Sequence, residues 1–321
     1  MPTLLLTNHY EGAPLQILTE VVGEDFDLIV LDSLTADELK AKIATADYLL
    51  VSGRMKVSAE VLSCARQLRM VQRTGVGLDN MDLDYMRAQG IPLYVNRGVN
   101  ATSVAEHAVY LILATLRRSY YVNKRIRAGI WAKQQTGLTT HELCGKTVGV
   151  VGTGSIGMRV CRMLSAFDVR LVYTSVPRLD EAVERELGLE YRALPELLGE
   201  ADVVTLHCPA QPDGPLLTRE LIEGMKPGAI LVNTARGSLV DMEALVDALE
   251  GGRLGGAGID VFDAEPISPE ARILQCDDAV LSPHVAGVTY EAFRSMMSGA
   301  VANIRAFDRG DLESIADKRL V

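Results

Sequence analysis

What the 321-residue chain lacks narrows its function first. It has no uninterrupted apolar run of the roughly 20 residues that a membrane-spanning helix needs. Residues 1–14 carry an apolar patch with no basic stretch ahead of it, so no signal peptide is expected and the protein reads as cytoplasmic. Basic charge is in deficit: 32 Lys and Arg stand against 42 Asp and Glu, a net charge of −10. That balance argues against nucleic acid or an anionic membrane as partner. Cysteine is sparse, and Cys64, Cys144, Cys161, Cys208 and Cys276 are dispersed without a CxxC pair, as expected of reduced, mostly buried thiols. The five histidines are equally scattered, so no metal site is expected. No repeat period, low-complexity tract or flexible linker is evident.

What remains is an ordinary globular composition, 48% hydrophobic and 23% charged, in a chain long enough for two domains. Short apolar runs at residues 4–6, 28–31, 48–51, 70–72 and 91–94 alternate with helical patterns near 14–21, 36–43, 58–65 and 82–88. This is the βαβ rhythm of a parallel sheet covered on both faces. A long apolar helix is expected over 103–118, then a looser polar segment over 128–142 that holds the single tryptophan, Trp131. A second series follows, with strands expected at 147–151, 170–173, 202–207, 229–233, 256–261 and 279–282, and a last helix over 290–306. The fold class is therefore α/β, with two doubly wound parallel-sheet domains. The expected boundaries are 1–98 with 289–321 for one domain and 99–288 for the other. The chain crosses between them near 96–100 and 285–290, the expected hinge.

The expected strand at 147–151 runs into Gly152-Thr153-Gly154-Ser155-Ile156-Gly157, followed by a helical pattern. Gly152 suits the tight turn, Gly154 lets backbone approach a pyrophosphate, and Gly157 allows close packing of helix on strand. A bare GxGxxG is weak, but one set between strand and helix in a βα series points to a dinucleotide. The next strand ends in Thr174 and Ser175, with Arg178 beyond, where an acid usually receives the adenosine ribose of NAD. Without that carboxylate, Ser175 and Arg178 can meet a 2′-phosphate, which favours NADP over NAD. The plainer alternative is that Thr174 binds a ribose hydroxyl of NAD and Arg178 faces solvent.

Three later segments leave expected strands: Asn233-Thr234-Ala235-Arg236-Gly237, Asp260-Val261-Phe262-Asp263-Ala264-Glu265-Pro266, and Ser282-Pro283-His284. In an open parallel sheet all three reach the crevice of the glycine loop. Reducing a keto acid needs a cation for carboxylate and carbonyl oxygen, and an acid for the developing alkoxide. The planar fork of Arg236 suits the first task and an imidazole, His284, the second. Glu265 can bond the other ring nitrogen, hold one tautomer and favour the charged ring. Each residue alone is more often a surface charge or a packed histidine; it is the joint placement that carries the reading.

The ordered set Gly152-x-Gly154-x-x-Gly157, Asn233-Thr-Ala-Arg236-Gly237, Asp260-Val-Phe-x-x-Glu265-Pro266 and Ser282-Pro-His284 resembles the D-isomer-specific 2-hydroxyacid dehydrogenases, the glyoxylate/hydroxypyruvate, phosphoglycerate and D-lactate dehydrogenases among them. The likeness covers nearly the whole chain and implies a Rossmann cofactor domain, 99–288, inserted into a flavodoxin-like substrate domain. It implies hydride transfer between a nicotinamide cofactor and a small 2-keto or 2-hydroxy acid, with Arg236, Glu265 and His284 catalytic and Asp260 near the nicotinamide carboxamide. It also implies Val104 beside the nicotinamide, Ala235 at the cofactor, and His207-Cys208-Pro209 on the adenine side, although Ala210-Gln211 departs from the family's usual Leu-Thr. In the first domain Arg73-Thr74-Gly75-Val76-Gly77 resembles the substrate loop, with the backbone at Val76 and Gly77 receiving the carboxylate. Arg54 and Arg73 can face a second anionic group on the substrate, or simply flank turns at the surface. The resemblance further implies a homodimer through 103–118 and the region of Trp131. No appended regulatory domain is expected after Val321. The rival from another class is a non-catalytic NAD(H)-sensing binding protein of the same fold.

Overall fold

Leu4, Leu5 and Leu6 in succession are fully shielded from solvent, the mark of a strand covered on both faces. Tyr48–Val51, Val203–Leu206 and Ile230–Asn233 are buried along their whole length in the same way. In the computed structural model, which describes residues 1–53 and 55–321, these runs are inner strands of two all-parallel sheets. Arg54, a candidate substrate contact, lies outside the described residues.

The chain divides into two compact units, Met1–Asn100 with Val288–Val321, and Ala101–Gly287. The first unit opens with β1 (Thr3–Leu6), α1 (Gly12–Val22), β2 (Asp27–Val30), α2 (Ala36–Ile43) and β3 (Tyr48–Val51). It continues through α3 (Ala59–Leu62), β4 (Met70–Arg73), α4 (Leu83–Gln89) and β5 (Leu93–Tyr94). The second unit begins with α5 (Ala101–Leu116), α6 (Ser119–Arg127), α7 (Lys133–Thr136), β6 (Thr147–Val151), α8 (Ser155–Leu164) and β7 (Arg170–Thr174). Then come α9 (Glu181–Leu187), β8 (Leu189–Tyr191), α10 (Leu194–Glu200), β9 (Val203–Leu206), α11 (Arg219–Glu223) and β10 (Ile230–Asn233). It closes with α12 (Met242–Glu250), β11 (Gly256–Ile259) and β12 (Ala279–Leu281), after which α13 (Tyr290–Asp308) returns to the first unit.

The first sheet is ordered β2-β1-β3-β4-β5 and the second β12-β11-β10-β9-β6-β7-β8, the flavodoxin-like and Rossmann-like windings. Each reverses direction beside its first strand, so loops leaving the carboxyl ends there open a crevice. In the first unit, Leu18 and Val22 of α1 share a core with Met297, Val301 and Ile304 of α13, while α2, α3 and α4 cover the other face through Leu39, Ile43, Val61, Leu62 and Met86. In the second unit α5 and α8 cover one face and α10, α11 and α12 the other.

The long helix expected over 103–118 begins two residues earlier, at Ala101. It stops short of Arg118, which adopts a left-handed φ of 48° and opens α6, a helix with no buried residue. Strand β8 at the sheet edge was not anticipated. Among the described residues, no helix is long and apolar enough to cross a membrane.

Candidate active site

Strands β10, β11 and β12 lie side by side and parallel, so the loops that follow them leave one edge of the sheet together. The first loop is folded by Asn233, whose side-chain oxygen accepts Ala235 N–H at 3.0 Å while its amide donates to the Arg236 carbonyl at 2.7 Å. An asparagine at a strand end forms such a turn with its own backbone, and here the turn presents Arg236. Gly237 comes next because nothing larger fits. A Cβ there would fall 2.1 Å from the Phe262 carbonyl carbon and 2.4 Å from Asp263 N, so the Arg236 loop lies directly on the Glu265 loop.

Glu265 uses both oxygens. Oε1 accepts Phe262 N–H at 2.9 Å, fixing the carboxylate to its own loop, and Oε2 meets His284 Nδ1 at 2.8 Å. A carboxylate only accepts, so Nδ1 carries the hydrogen that Glu265 receives. The side chain of His284 keeps 42% of its surface exposed against 16% for Glu265, as suits a group meeting a reactant with a shielded partner behind it.

His284 also has a φ of 57°, a left-handed conformation uncommon for a residue with a Cβ. Such a residue costs about 1–3 kcal/mol and persists only where its surroundings over-determine it. Asp260 supplies much of that constraint. Its carbonyl accepts His284 N–H at 2.7 Å, and its fully buried carboxylate accepts Ser282 Oγ at 2.6 Å, Val285 N–H at 2.9 Å and Ala286 N–H at 2.9 Å. This anchoring of the His284 loop is a role the sequence did not disclose, because the donors are mainly backbone groups some 25 residues away.

The glycine loop follows β6. Gly152 has a φ of 92° and passes so close to the β9 exit that a Cβ would sit 2.8 Å from Cys208 N. A Cβ on Gly157 would meet the Gly152 carbonyl oxygen at 2.0 Å, which ties the turn to α8. Among the described residues, nothing lies within 4 Å of where a Cβ on Gly154 would stand, and no side chain caps α8, so Ser155 and Ile156 open a helix without a side-chain acceptor at its start. That cradle fits a pyrophosphate. Beside it, the Thr174 carbonyl accepts Gly152 N–H at 2.8 Å and Ser175 Oγ accepts Thr153 N–H at 3.3 Å. Arg178 forms a two-pronged pair with Glu184 at 2.8 and 3.0 Å and lies over the Tyr191 ring. That pair, with the Tyr173 hydroxyl second, holds the Glu184 carboxyl down to about 2.

His207, Cys208 and Pro209 follow β9 against Gly152. Burial pushes the His207 ring down to about 3, so it is neutral at pH 7, with Nε2 on the Thr205 hydroxyl at 2.9 Å. Burial raises the Cys208 thiol as well. Val104 is buried in the first turns of α5. In the first unit Arg73 ends β4 and donates to the carbonyls of Gly77 at 2.9 Å and Gly53 at 3.0 Å, clamping the loop that carries exposed Val76.

A sequence model described as "D-isomer specific 2-hydroxyacid dehydrogenase, NAD binding domain" matches residues 109–286. The glyoxylate reductase of Pyrococcus furiosus is 37% identical over 91% of this chain and 89% of its own. The D-3-phosphoglycerate dehydrogenase of Mycobacterium tuberculosis is 39% identical over 84% of this chain, which spans only 51% of that longer protein. The solved D-lactate dehydrogenase of Aquifex aeolicus, complexed with NAD and lactic acid, superposes with a TM-score of 0.85 at 31% identity over 99% of both chains. With the matching windings of both sheets, these likenesses establish that the chain belongs to the D-isomer-specific 2-hydroxyacid dehydrogenase family.

Proposed function

We propose that the chain reduces a small 2-keto acid to its D-2-hydroxy acid, and reverses that reaction, with Arg236, Glu265 and His284 as the catalytic residues. The observation that carries the assignment is the His284–Glu265 pair at 2.8 Å, on a loop against which the Arg236 loop is packed. A bound reduced nicotinamide supplies the hydride that the carbonyl carbon receives. Arg236 holds the carboxylate and draws electron density toward the carbonyl oxygen. His284 Nε2 delivers the proton to that oxygen as charge develops, and Glu265 stabilises the ring throughout. In the oxidative direction the neutral ring takes the hydroxyl proton back. In the first unit, the N–H groups of Val76 and Gly77 receive the substrate carboxylate, and Arg73 supports them by clamping their loop.

Gly152, Gly154, Ser155, Ile156 and Gly157 hold the pyrophosphate; Val104, His207, Cys208, Pro209, Ala235 and Asp260 line the rest of the coenzyme. NADPH is the preferred form in this reading. Thr174 leaves no carboxylate to repel a 2′-phosphate, Ser175 offers a hydroxyl, and Arg178 presents the guanidinium edge that Glu184 does not occupy. A clearly higher kcat/KM with NADH than with NADPH overturns that preference. A homodimer is assigned on the exposed apolar side chains of Tyr120, Ile126, Ile130 and Trp131, and a monomer in gel filtration refutes it. The cytoplasm is assigned on the dispersed free thiols.

The decisive assay follows oxidation of NADPH and NADH against glyoxylate, hydroxypyruvate, pyruvate and phenylpyruvate. His284→Ala is expected to lower kcat by about 10²–10⁴-fold with the fold intact. Near-normal turnover removes His284 from the mechanism. Tight coenzyme binding with no turnover on any of these acids favours the sensing role instead.

A further inference from the structure

Asp260 is a fully buried carboxylate, and among the described residues no lysine or arginine pairs with it. Among the described residues, the one side chain of potential positive charge within ion-pair reach is His107 of α5, its Nε2 3.6 Å from Asp260 Oδ1. Between them stands Ser282. Its hydroxyl donates to Asp260 Oδ1 at 2.6 Å and lies 2.9 Å from His107 Nε2.

The proton positions follow from the chemistry of the three groups. A serine hydroxyl has one hydrogen, and an ionised carboxylate accepts only, so that hydrogen is committed to Asp260. The Ser282 oxygen is then the acceptor for His107, and His107 must carry its hydrogen on Nε2. A directed chain therefore runs His107 N–H to Ser282 O–H to Asp260, whose carboxylate also accepts the N–H groups of Val285 and Ala286, the two residues that follow His284. Hydrogen bonds to a buried charge are its strong kind, and chains of them reinforce one another.

We propose that His107 is a positioning residue for the reaction, tying α5 through Ser282 and Asp260 to the strained loop that presents His284. The proposal rests on the catalytic role given to His284 above. Loss of the His107 N–H leaves the Ser282 oxygen without its donor and weakens the hold on a backbone whose φ of 57° relaxes once it is released. His284 then meets the substrate off line while coenzyme and substrate still bind. The plain alternative is packing: the ring of His107 lies 5.5 Å from that of Tyr110, with 19% of its side chain exposed.

Two variants separate the readings. His107→Phe keeps a ring and loses the donor; His107→Gln loses the ring and keeps an N–H near the same place. Each is measured for kcat, KM and hydrogen exchange of the peptide over residues 282–287. Positioning predicts that His107→Phe loses about 10- to 100-fold in kcat with KM changed by less than about threefold, and exchanges faster over 282–287, while His107→Gln stays within about threefold of the parent. Parental kcat and exchange in His107→Phe, or a His107→Gln as impaired as His107→Phe, overturns the proposal. Should His107→Phe fail to fold, Ser282→Ala severs the same link without touching α5 and is read in its place. If the parent protein turns over none of the keto acids, the reaction assigned to it fails, while the exchange arm alone still decides whether His107 holds the loop.

Discussion

At the scale of single residues, the side chains proposed to carry the chemistry can be picked out in the sequence, and the contacts that hold them cannot. Arg236, Glu265 and His284 stand out because each follows a short apolar run and the three together suit one reaction. The task of Gly237 is invisible in sequence, since its contact is with backbone at Phe262 and Asp263 on the neighbouring loop. Gly237→Ala is expected to part the two loops and to lower kcat/KM by about tenfold or more with coenzyme affinity unchanged, by steady-state kinetics and coenzyme titration. Equal losses in both would show that the distortion spreads beyond this pair of loops. Thiol chemistry offers a second test at this scale. Burial pushes the Cys161 thiol up to about 12, whereas Cys144 is exposed. Iodoacetamide should label Cys144 in the folded protein and reach Cys161 only after unfolding, and early mass shifts on Cys161 would contradict its burial.

Between elements, what the sequence concealed is explained by weak patterning. Helix α6 buries nothing, so it has no apolar stripe to betray it, and β8 is a three-residue edge strand, Leu-Glu-Tyr. Helix α5 was conspicuous, but not the reason it sits so near β11. A Cβ on Gly256 would meet Thr115 Cγ2 at 2.6 Å, and one on Gly258 would meet Leu111 Cβ at 2.9 Å. Gly258→Ala should therefore cost about 1–3 kcal/mol in denaturant unfolding, and a neutral result would mean that α5 shifts freely. At the base of the same sheet, Asp202 accepts Thr147 N–H at 2.9 Å and pairs with Lys226 at 2.7 Å. Burial works to raise its carboxyl, but the lysine and the N–H outweigh it and the net shift is downward. A depressed carboxyl contributes stability that is complete above the unfolded value, about 3.9, and is lost as pH falls through the lower folded one. Asp202→Asn is thus expected to destabilise at neutral pH, with the gap from the parent closing as acid is added. A gap that widens in acid would reverse the sign of the shift.

For the whole molecule, the two parallel sheets were evident from alternating apolar runs and helical patterns, and in the structure one unit interrupts the other between Asn100 and Val288. The interruption has a consequence for how the protein is made. The face of the first sheet bearing Leu4, Leu6, Tyr48, Met70 and Tyr94 is closed partly by Met297, Val301 and Ile304, so it waits on α13. Residues 101–287 emerge from the ribosome in between, as one uninterrupted stretch with both of its own cores. At about 5–20 residues per second that delay lasts roughly 10–40 s, during which the earlier-born half offers an uncovered apolar wall. Nascent chains arrested just after Gly287 should yield a protease-resistant core from 101–287 while residues 1–100 are digested, and equal resistance in both would deny the wait. The part of the protein translated first is the part finished last, and its exposed sheet is where a chaperone would find the growing chain.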